Sequence, residues 1–293
     1  MTDTGRVTSA DGTSIGYRQL GRGPGIVLVH GAMQASQNFT RLAQELAEAF
    51  TIYVLDRRGR GLSGPYGPRH TIQHDCEDLD AVLRETGAHD VFALSAGALI
   101  ALQTALTFPA IRRLALYEPP LPLSSSVTAW VPRYDQERAQ GKLASAFVTA
   151  ARGTETAAVL GLVPRFLLVP LIGLALEAEA KEVKGDDVPL RDLVQAVHFD
   201  AHHVVEMTGA IDETLERCKT LQAEVLLLGG SKSPKYLKSA LDALSAVVPH
   251  ARRVELRGVG HLAADNRGKP ALVAAELRRF FGLPLDDRYA GPY

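Results

Sequence analysis

The stretch Ala93-Leu94-Ser95-Ala96-Gly97 joins an apolar run, residues 91–94, to a helix-like segment, residues 96–108. A sharp turn at such a strand-to-helix junction lifts the serine hydroxyl above the carboxyl ends of the strands. The turn is crowded, so the residues two before and two after the serine must be small, as Ala93 and Gly97 are. The backbone N–H of Ala96 can then point at a developing oxyanion. A serine that only caps the helix is the alternative interpretation of the same five residues.

The rest of the chain alternates between buried strands and helices on both sides of this turn. A hairpin is predicted at residues 7–19, and Ser36 is predicted to cap a helix in which Phe39, Leu42, Ala43, Leu46 and Phe50 recur. Further strands are predicted at residues 26–29, 51–55, 91–94, 114–117, 225–228 and 253–256, and further helices at residues 71–86, 96–108, 234–247 and 270–281. The alternation predicts an α/β fold with a mostly parallel, doubly wound sheet.

The strand–helix rhythm stops after residue 118 and resumes only at residue 225. Residues 123–217 are helix-like without a clear strand. The simplest account is a core formed by residues 1–118 and 218–293 and a helical insertion formed by residues 119–217. The tail, residues 283–293, is expected to be irregular.

The composition indicates the kind of partner that the chain binds. Its 293 residues include 32 Lys plus Arg and 33 Asp plus Glu, so neither nucleic acid nor an anionic membrane is an expected partner. The longest apolar stretch, residues 163–175, is interrupted by Pro164, Arg165 and Pro170 and is too short to span a bilayer. Cys76 and Cys218 have no CxxC spacing, so no disulfide framework is expected and a reducing cytoplasm is the predicted compartment. A small-molecule substrate remains the expected partner, and the sequence indicates no oligomeric state.

Three further motifs follow predicted strands. His30-Gly31 ends the strand at residues 26–29, where the N–H of Ala32 can supply a second oxyanion donor, with Met33 beside the pocket and His30 in a structural role. The loop at residues 56–63, Asp-Arg-Arg-Gly-Arg-Gly-Leu-Ser, lacks the Gly-Lys-Ser/Thr of a phosphate loop and is interpreted as structural. His261, preceded by Gly258-Val259-Gly260, is the best-placed general base.

In this order and spacing, the motifs resemble the α/β-hydrolase family over residues 7–118 and 218–282. The resemblance implies an eight-stranded, mostly parallel sheet with helices on both faces and a helical cap inserted after the sixth strand. The family usually carries its triad acid after the seventh strand, but residues 229–234 contain no Asp or Glu. Some members carry the acid after the sixth strand, where this chain has Glu118.

The resulting hypothesis is a triad of Ser95, His261 and Glu118, with Ala32 and Ala96 as the oxyanion hole. Glu118 could instead be a hinge residue at the cap boundary. Asp265 is a second candidate acid, although a role as a helix cap or a solvent-facing side chain suits it better.

The predicted function is a serine hydrolase that cleaves a small, hydrophobic ester, thioester or lactone through an acyl-enzyme, without a cofactor or metal. A serine nucleophile argues against dehalogenase or epoxide-hydrolase chemistry, which needs a carboxylate. Two alternatives stay open. One is C–C bond hydrolysis, perhydrolysis, or a cyclisation or elimination on the same scaffold, and the other is a non-catalytic small-molecule binder.

The insertion carries the candidate pocket residues. With Met33, these are Trp130, Phe166, Phe199 and His202, although packing of the cap onto the core is the favoured interpretation for most of the aromatic side chains. His198, His202 and Glu206 recur every four residues and share one helix face, which also suits a metal. No further ligand is evident nearby in the sequence, so no metal site is predicted.

Overall fold

A computed structural model describes residues 3–156, 161 and 163–282. The predicted irregular tail at residues 283–293 lies outside them. Within these residues, no helix is both long enough and apolar enough to cross a membrane.

One eight-stranded sheet forms the centre of the molecule, as predicted. The strands are β1 (Asp3–Thr8), β2 (Ser14–Gly21), β3 (Gly25–Val29), β4 (Thr51–Leu55), β5 (Asp90–Leu94), β6 (Arg113–Tyr117), β7 (Glu224–Gly230) and β8 (Arg252–Leu256). Their spatial order is β1-β2-β4-β3-β5-β6-β7-β8. The hairpin strands β1 and β2 are antiparallel, and β3 to β8 run parallel.

The register brings the carboxyl ends of three strands side by side. Leu94 at the end of β5 pairs with Tyr117 at the end of β6, and Tyr117 pairs in turn with Leu228 of β7. The residues that follow these positions therefore meet at one edge of the sheet.

Helices cover both faces of the sheet and fill the segment between β6 and β7. The α-helices with both ends described are α1 (Thr40–Leu46), α2 (Ile72–Thr86), α3 (Ala96–Thr107), α4 (Val131–Ala139), α5 (Leu143–Gly153), α6 (Arg165–Glu182), α7 (Leu190–Thr208), α8 (Ile211–Cys218), α9 (Lys235–Val247) and α10 (Pro270–Phe281). Short 3₁₀ helices span Ser36–Phe39 and Ser125–Val127. The described part of the segment between β6 and β7 contains no strand.

The helix predicted to start after a Ser36 cap differs in detail. Ser36 is the first residue of a 3₁₀ turn, and α1 begins only at Thr40. The reason is that the N–H of Ser36 donates to Asp56 Oδ1 at 2.8 Å, and its hydroxyl accepts from Arg18 Nε at 2.9 Å. Phe50, predicted on the same helix, is buried beyond its end.

Two hydrophobic layers, one on each face of the sheet, explain the continuous apolar runs. Val27 and Val29 point into the layer under α2, α3 and α9, whereas Ile26 and Leu28 point into the layer under α1 and α10. Because successive strand residues face opposite sides, a strand covered on both faces must be apolar throughout.

A separate apolar cluster holds the inserted helices together. It includes Val131 and Tyr134 of α4, Ala150 of α5, and Val194 and Val197 of α7. The Tyr134 hydroxyl donates to the Val194 carbonyl at 2.5 Å. This cluster faces the loop after β3 and forms a roof over the edge of the sheet.

Candidate active site

The turn at Ser95 has the sharp geometry that the sequence predicted. Ser95 adopts φ 56° and ψ −122°, a conformation rare for a residue with a side chain and worth about 1–3 kcal/mol of strain. A Cβ at Gly97 would lie 2.5 Å from the His30 carbonyl oxygen, so only glycine fits two residues later. Ala93 is fully buried, whereas Ser95 is only partly buried. The turn thus presents the serine at the surface of a cavity.

The loop after β3 passes close to this serine. A Cβ at Gly31 would lie 3.1 Å from the Ser95 Cβ, and the Gly31 N–H is already bound to Gln34 Oε1 at 2.9 Å. The N–H groups of Ala32 and Ala96 have no acceptor among the residues that the structure describes. Both residues line the cavity, so these two donors are available to a ligand atom there.

Glu118 follows β6 directly and is completely buried. Its Oε2 lies 2.7 Å from Nδ1 of His261, and its Oε1 accepts the Gly230 N–H at 2.6 Å. Since a carboxylate only accepts, Nδ1 carries the proton and Nε2 of the imidazole is left as an acceptor. Each carboxylate oxygen therefore has a donor, and the histidine is held in the tautomer that a general base needs.

Gly229 makes room for this carboxylate, and Gly230 makes room for the loop that carries His261. A Cβ at Gly229 would lie 3.0 Å from Glu118 Oε1 and 2.7 Å from Leu241 Cδ1, and a Cβ at Gly230 would lie 2.5 Å from the Val259 carbonyl oxygen. The acid from β6 thus reaches the end of β7, which is followed by a loop without an acidic residue. The two consecutive glycines were visible in the sequence, but their role was not.

Two hydrogen bonds to backbone carbonyls fix the loop that carries His261. The Tyr117 hydroxyl donates to the Gly260 carbonyl at 2.9 Å, and the Lys232 N–H donates to the Val259 carbonyl at 2.8 Å. Sequence reasoning missed Tyr117, because its partner is 143 residues away. His261 is nearly buried but still lines the cavity.

The cavity has a volume of about 650 Å³ and lies between the sheet edge and the inserted helices. Ser95, His261, Ala32, Met33 and Ala96 line its floor. The inserted helices add mainly apolar side chains, among them Trp130, Val131, Phe147, Leu193, Val197 and Val204. Polar groups at its margins include Thr128, Thr154, Glu179, Asp187 and Tyr236.

Of the predicted pocket residues, Met33 and Trp130 line the cavity, but Phe166, Phe199 and His202 do not. Phe166 is 75% exposed on α6. Phe199 stacks on Tyr66 with ring centroids 3.8 Å apart, and His202 binds a carboxylate on α4. The face of α7 that lines the cavity carries Val197, Asp200, Ala201 and Val204 instead. A helical face cannot be assigned before its partner is known, and this is why the prediction failed for these three residues.

Asp265 is neither a helix cap nor exposed to solvent. It is buried, and its Oδ2 accepts from Gln34 Nε2 at 2.9 Å and from Asn38 Nδ2 at 3.0 Å. Because Gln34 also holds the Gly31 N–H, Asp265 fixes the loop that carries Ala32. Gln34 and Asn38 were missed, since nothing in the sequence links them to a residue more than 200 positions later.

His30 and the arginine-rich loop have structural positions. His30 is fully buried, and its Nδ1 donates to the Gly31 carbonyl while its Nε2 accepts the Arg57 N–H. Burial holds the pKa of His30 well below its ordinary value, so the ring is neutral. Asp56 accepts the N–H groups of Ser36 and Leu62, and this closes the loop.

The same loop contributes to a buried ionic cluster, formed by Arg57, Arg60, Asp75, Asp200, His70 and His203. Arg57 and Arg60 reach the two carboxylate oxygens of Asp200 on α7 at 2.5 and 2.6 Å. His70 Nε2 lies 2.7 Å from Asp75 Oδ2 on α2. The cluster thus ties an inserted helix to the sheet domain.

Comparison with known proteins agrees with this architecture. The profile described as the alpha/beta hydrolase family matches residues 26–276. A pimeloyl-[acyl-carrier protein] methyl ester esterase of Xanthomonas campestris is 26% identical over 89% of this chain and 96% of its own. A crystal structure of an alpha/beta hydrolase from Sphaerobacter thermophilus is 29% identical, covers 94% of this chain and all of its own, and gives a TM-score of 0.70. The enol-lactonase from Burkholderia xenovorans is 21% identical, covers 95% of this chain and 100% of its own, and with a TM-score of 0.66 shares the fold.

Proposed function

The chain belongs to the alpha/beta hydrolase family, and on that premise we propose that it hydrolyses a small, largely apolar ester, thioester or lactone through an acyl-enzyme on Ser95. The observation that carries the proposal is the 2.7 Å contact between His261 Nδ1 and Glu118 Oε2 at a cavity that also contains the strained Ser95 turn. A buried acid, an oriented imidazole and a raised hydroxyl are the three parts that acyl transfer to serine requires.

Each step of the reaction has a group in place. Nε2 of His261 takes the proton of Ser95 as the hydroxyl oxygen attacks the substrate carbonyl. The N–H groups of Ala32 and Ala96 stabilise the resulting oxyanion. His261 then returns the proton to the leaving alcohol or thiol, and in the second half it activates the water that hydrolyses the acyl-enzyme. Glu118 accepts the Nδ1–H of His261 and stabilises the imidazolium.

The cavity supports an apolar acyl or aromatic group in the substrate. Its volume of about 650 Å³ lies in the range of small-molecule sites, and Trp130, Phe147 and Val197 give it an apolar wall. The related esterase acts on a methyl ester of an acyl chain, which supports ester chemistry here as well. The proposed substrate presents a carbonyl to the floor of the cavity and an apolar portion to the roof.

The proposal extends to the organisation of the chain. Residues 119–217 act as a cap over the core formed by residues 1–118 and 218–293, and a small molecule is the partner rather than nucleic acid or a membrane. Cys76 and Cys218 are buried free thiols, which supports a location in a reducing cytoplasm.

Covalent labelling tests the proposal most directly. A fluorophosphonate probe should label the wild-type protein with one equivalent, and Ser95→Ala should abolish both the label and the turnover of p-nitrophenyl esters. Ser233→Ala is the matched control, because Ser233 is also poorly exposed but does not line the cavity. It should keep both.

The other outcomes separate the alternatives. Folded wild-type protein that takes no label would overturn the serine-hydrolase proposal and favour a binder. A label at Ser95 with no turnover across esters of increasing acyl length would favour C–C bond hydrolysis, perhydrolysis, or a cyclisation or elimination.

A further inference from the structure

A second cluster of chemically reactive side chains lies between α4 and α7. Asp135 of α4 stands between two histidines of α7, with its Oδ1 2.7 Å from Nδ1 of His198 and its Oδ2 2.8 Å from Nε2 of His202. One ligand atom from each of the three residues can be chosen so that all lie within 4.8 Å of one another. None of the three lines the cavity at Ser95, so the proposed hydrolysis does not account for them.

The third ligand comes from a distant part of the chain. The sequence suggested His198, His202 and Glu206 on one helix face, but Glu206 is exposed and is not part of the group. Asp135, 63 residues before His198, takes that place. Two imidazoles and one carboxylate are a ligand set typical of zinc and of neighbouring first-row metals.

The group is accessible from solvent. Both histidines and the aspartate are partly exposed, so an ion can reach them.

We propose that Asp135, His198 and His202 bind a divalent first-row metal ion such as Zn²⁺, with water as the fourth ligand, and that the ion fastens α4 to α7. His198 would bind through Nδ1 and His202 through Nε2, each in the tautomer with its proton on the other ring nitrogen. Ligand atoms of a tetrahedral Zn²⁺ lie about 2 Å from the ion and hence about 3.3 Å from each other. Small rotations of these partly exposed side chains would bring the three ligand atoms from their present separations, all within 4.8 Å, to that spacing.

The buried ionic cluster offers a poorer metal site than the group at Asp135. His70, Asp75 and His203 also form a compact group, but Arg57 Nη2 lies 3.6 Å from Asp75 Oδ1 and would repel a second cation there. Near Asp135 the positive group that acts on His198 is Arg138, which makes no salt bridge among the described residues. Its charge lowers the affinity for a cation without occupying a ligand oxygen.

The site has a consequence for the cavity. Val131, one turn before Asp135 on α4, and Val197 and Ala201, which directly precede His198 and His202 on α7, line the cavity. An ion that joins these helices therefore fixes two walls of the cavity relative to each other.

Metal titration of the tag-free protein, first stripped with EDTA, tests the inference. Isothermal titration with Zn²⁺ should give one site, and Co²⁺ should give the visible absorption of a tetrahedral complex. His198→Ala, His202→Ala and Asp135→Asn should each weaken Zn²⁺ binding at least tenfold. His250→Ala is the control, because His250 is exposed and outside the group, and it should bind as the wild type does.

A conservative variant guards against loss of fold. His202→Gln keeps a side-chain donor for Asp135 but ligates Zn²⁺ poorly, so Zn²⁺ should raise the melting temperature of the wild type and not that of the variant. Absence of a one-to-one Zn²⁺ site in the wild type, or equal affinity in wild type and His202→Gln, would overturn the inference. These measurements do not involve Ser95 and stand whether or not esters are turned over.

Discussion

Two buried imidazole–carboxylate pairs in this protein have the same nitrogen–oxygen distance and different surroundings. His261 and Glu118 lie 2.7 Å apart, and so do His70 and Asp75. In the first pair, the other oxygen of Glu118 accepts a backbone N–H, and the imidazole of His261 lines the same cavity as Ser95. Beside the second pair stands Arg57. The groups that surround each pair, rather than the pair itself, therefore decide whether its histidine can act as a base.

The electrostatics of the second pair fit a structural role. Burial raises the pKa of Asp75, but Arg57 and the hydrogen bond from His70 outweigh it and bring that pKa far below the usual value. Burial lowers the pKa of the neighbouring His203 to about 4. In the buried ionic cluster, the two arginines lie against the two aspartates, so these four charges balance. The cluster holds α7 to the sheet domain and has no hydroxyl nucleophile among its members.

The largest expected difference in activity is between variants of Glu118 and variants of Asp75. Glu118→Gln should lower kcat for a p-nitrophenyl ester by about 10³–10⁴-fold, because the amide no longer stabilises the imidazolium or its tautomer. Asp75→Asn should leave kcat within about threefold but lower the free energy of unfolding by about 3 kcal/mol, since Arg57 loses one of its buried partners. Ester kinetics and urea unfolding of both variants measure the contrast. Near-normal turnover in Glu118→Gln would remove Glu118 from the triad.

A smaller effect is expected in the pH dependence of stability. His203 titrates near pH 4 in the folded protein but near 6.5 when unfolded, so between these values the unfolded chain binds the extra proton. Stability should therefore be lost as the pH falls through this range, by up to about 1.4 kcal/mol per pH unit from this group. Asp75 and Asp200 raise this pKa while Arg57 and His70 lower it, and burial outweighs all four.

Urea unfolding between about pH 4 and pH 6.5 checks the direction of this change in stability. His203→Gln should flatten the slope in part, because the buried His30 contributes in the same direction. His250→Gln, at an exposed position, should leave the slope unchanged. A variant of His203 with the full wild-type slope would contradict the assignment.

The smallest effect is expected at Phe166, which the sequence placed in the pocket and the structure places in solvent. Phe166→Ala should leave kcat/KM for long-chain esters within about twofold, because the ring makes no contact with the cavity. Trp130→Ala should raise KM for the same esters about tenfold, because it removes part of the apolar wall. Equal effects of the two substitutions would show that the cavity is not where these esters bind.

The sheet could be predicted from the sequence because strands covered on both faces are apolar throughout, as residues 26–29 and 114–117 are. The positions of Ser95, His261 and Glu118 along one edge could be predicted for a related reason, since parallel strands place their carboxyl ends together. The partners of Asp265 and Tyr117 could not be predicted from the sequence, because a contact between segments far apart in the chain leaves no periodic pattern. The prediction that placed Phe199 and His202 in the pocket was wrong, because a helix with apolar residues on several faces does not reveal which face turns inward.

The position of Glu118 also constrains how the site can open. The residues that lead from it into the insertion are two prolines with fixed φ and then Leu121, whose side chain is fully buried in the core. Any swing of the inserted helices must therefore pivot beyond Leu121. A substrate can be admitted from above while the acid, and with it the proton on the histidine, keeps its place.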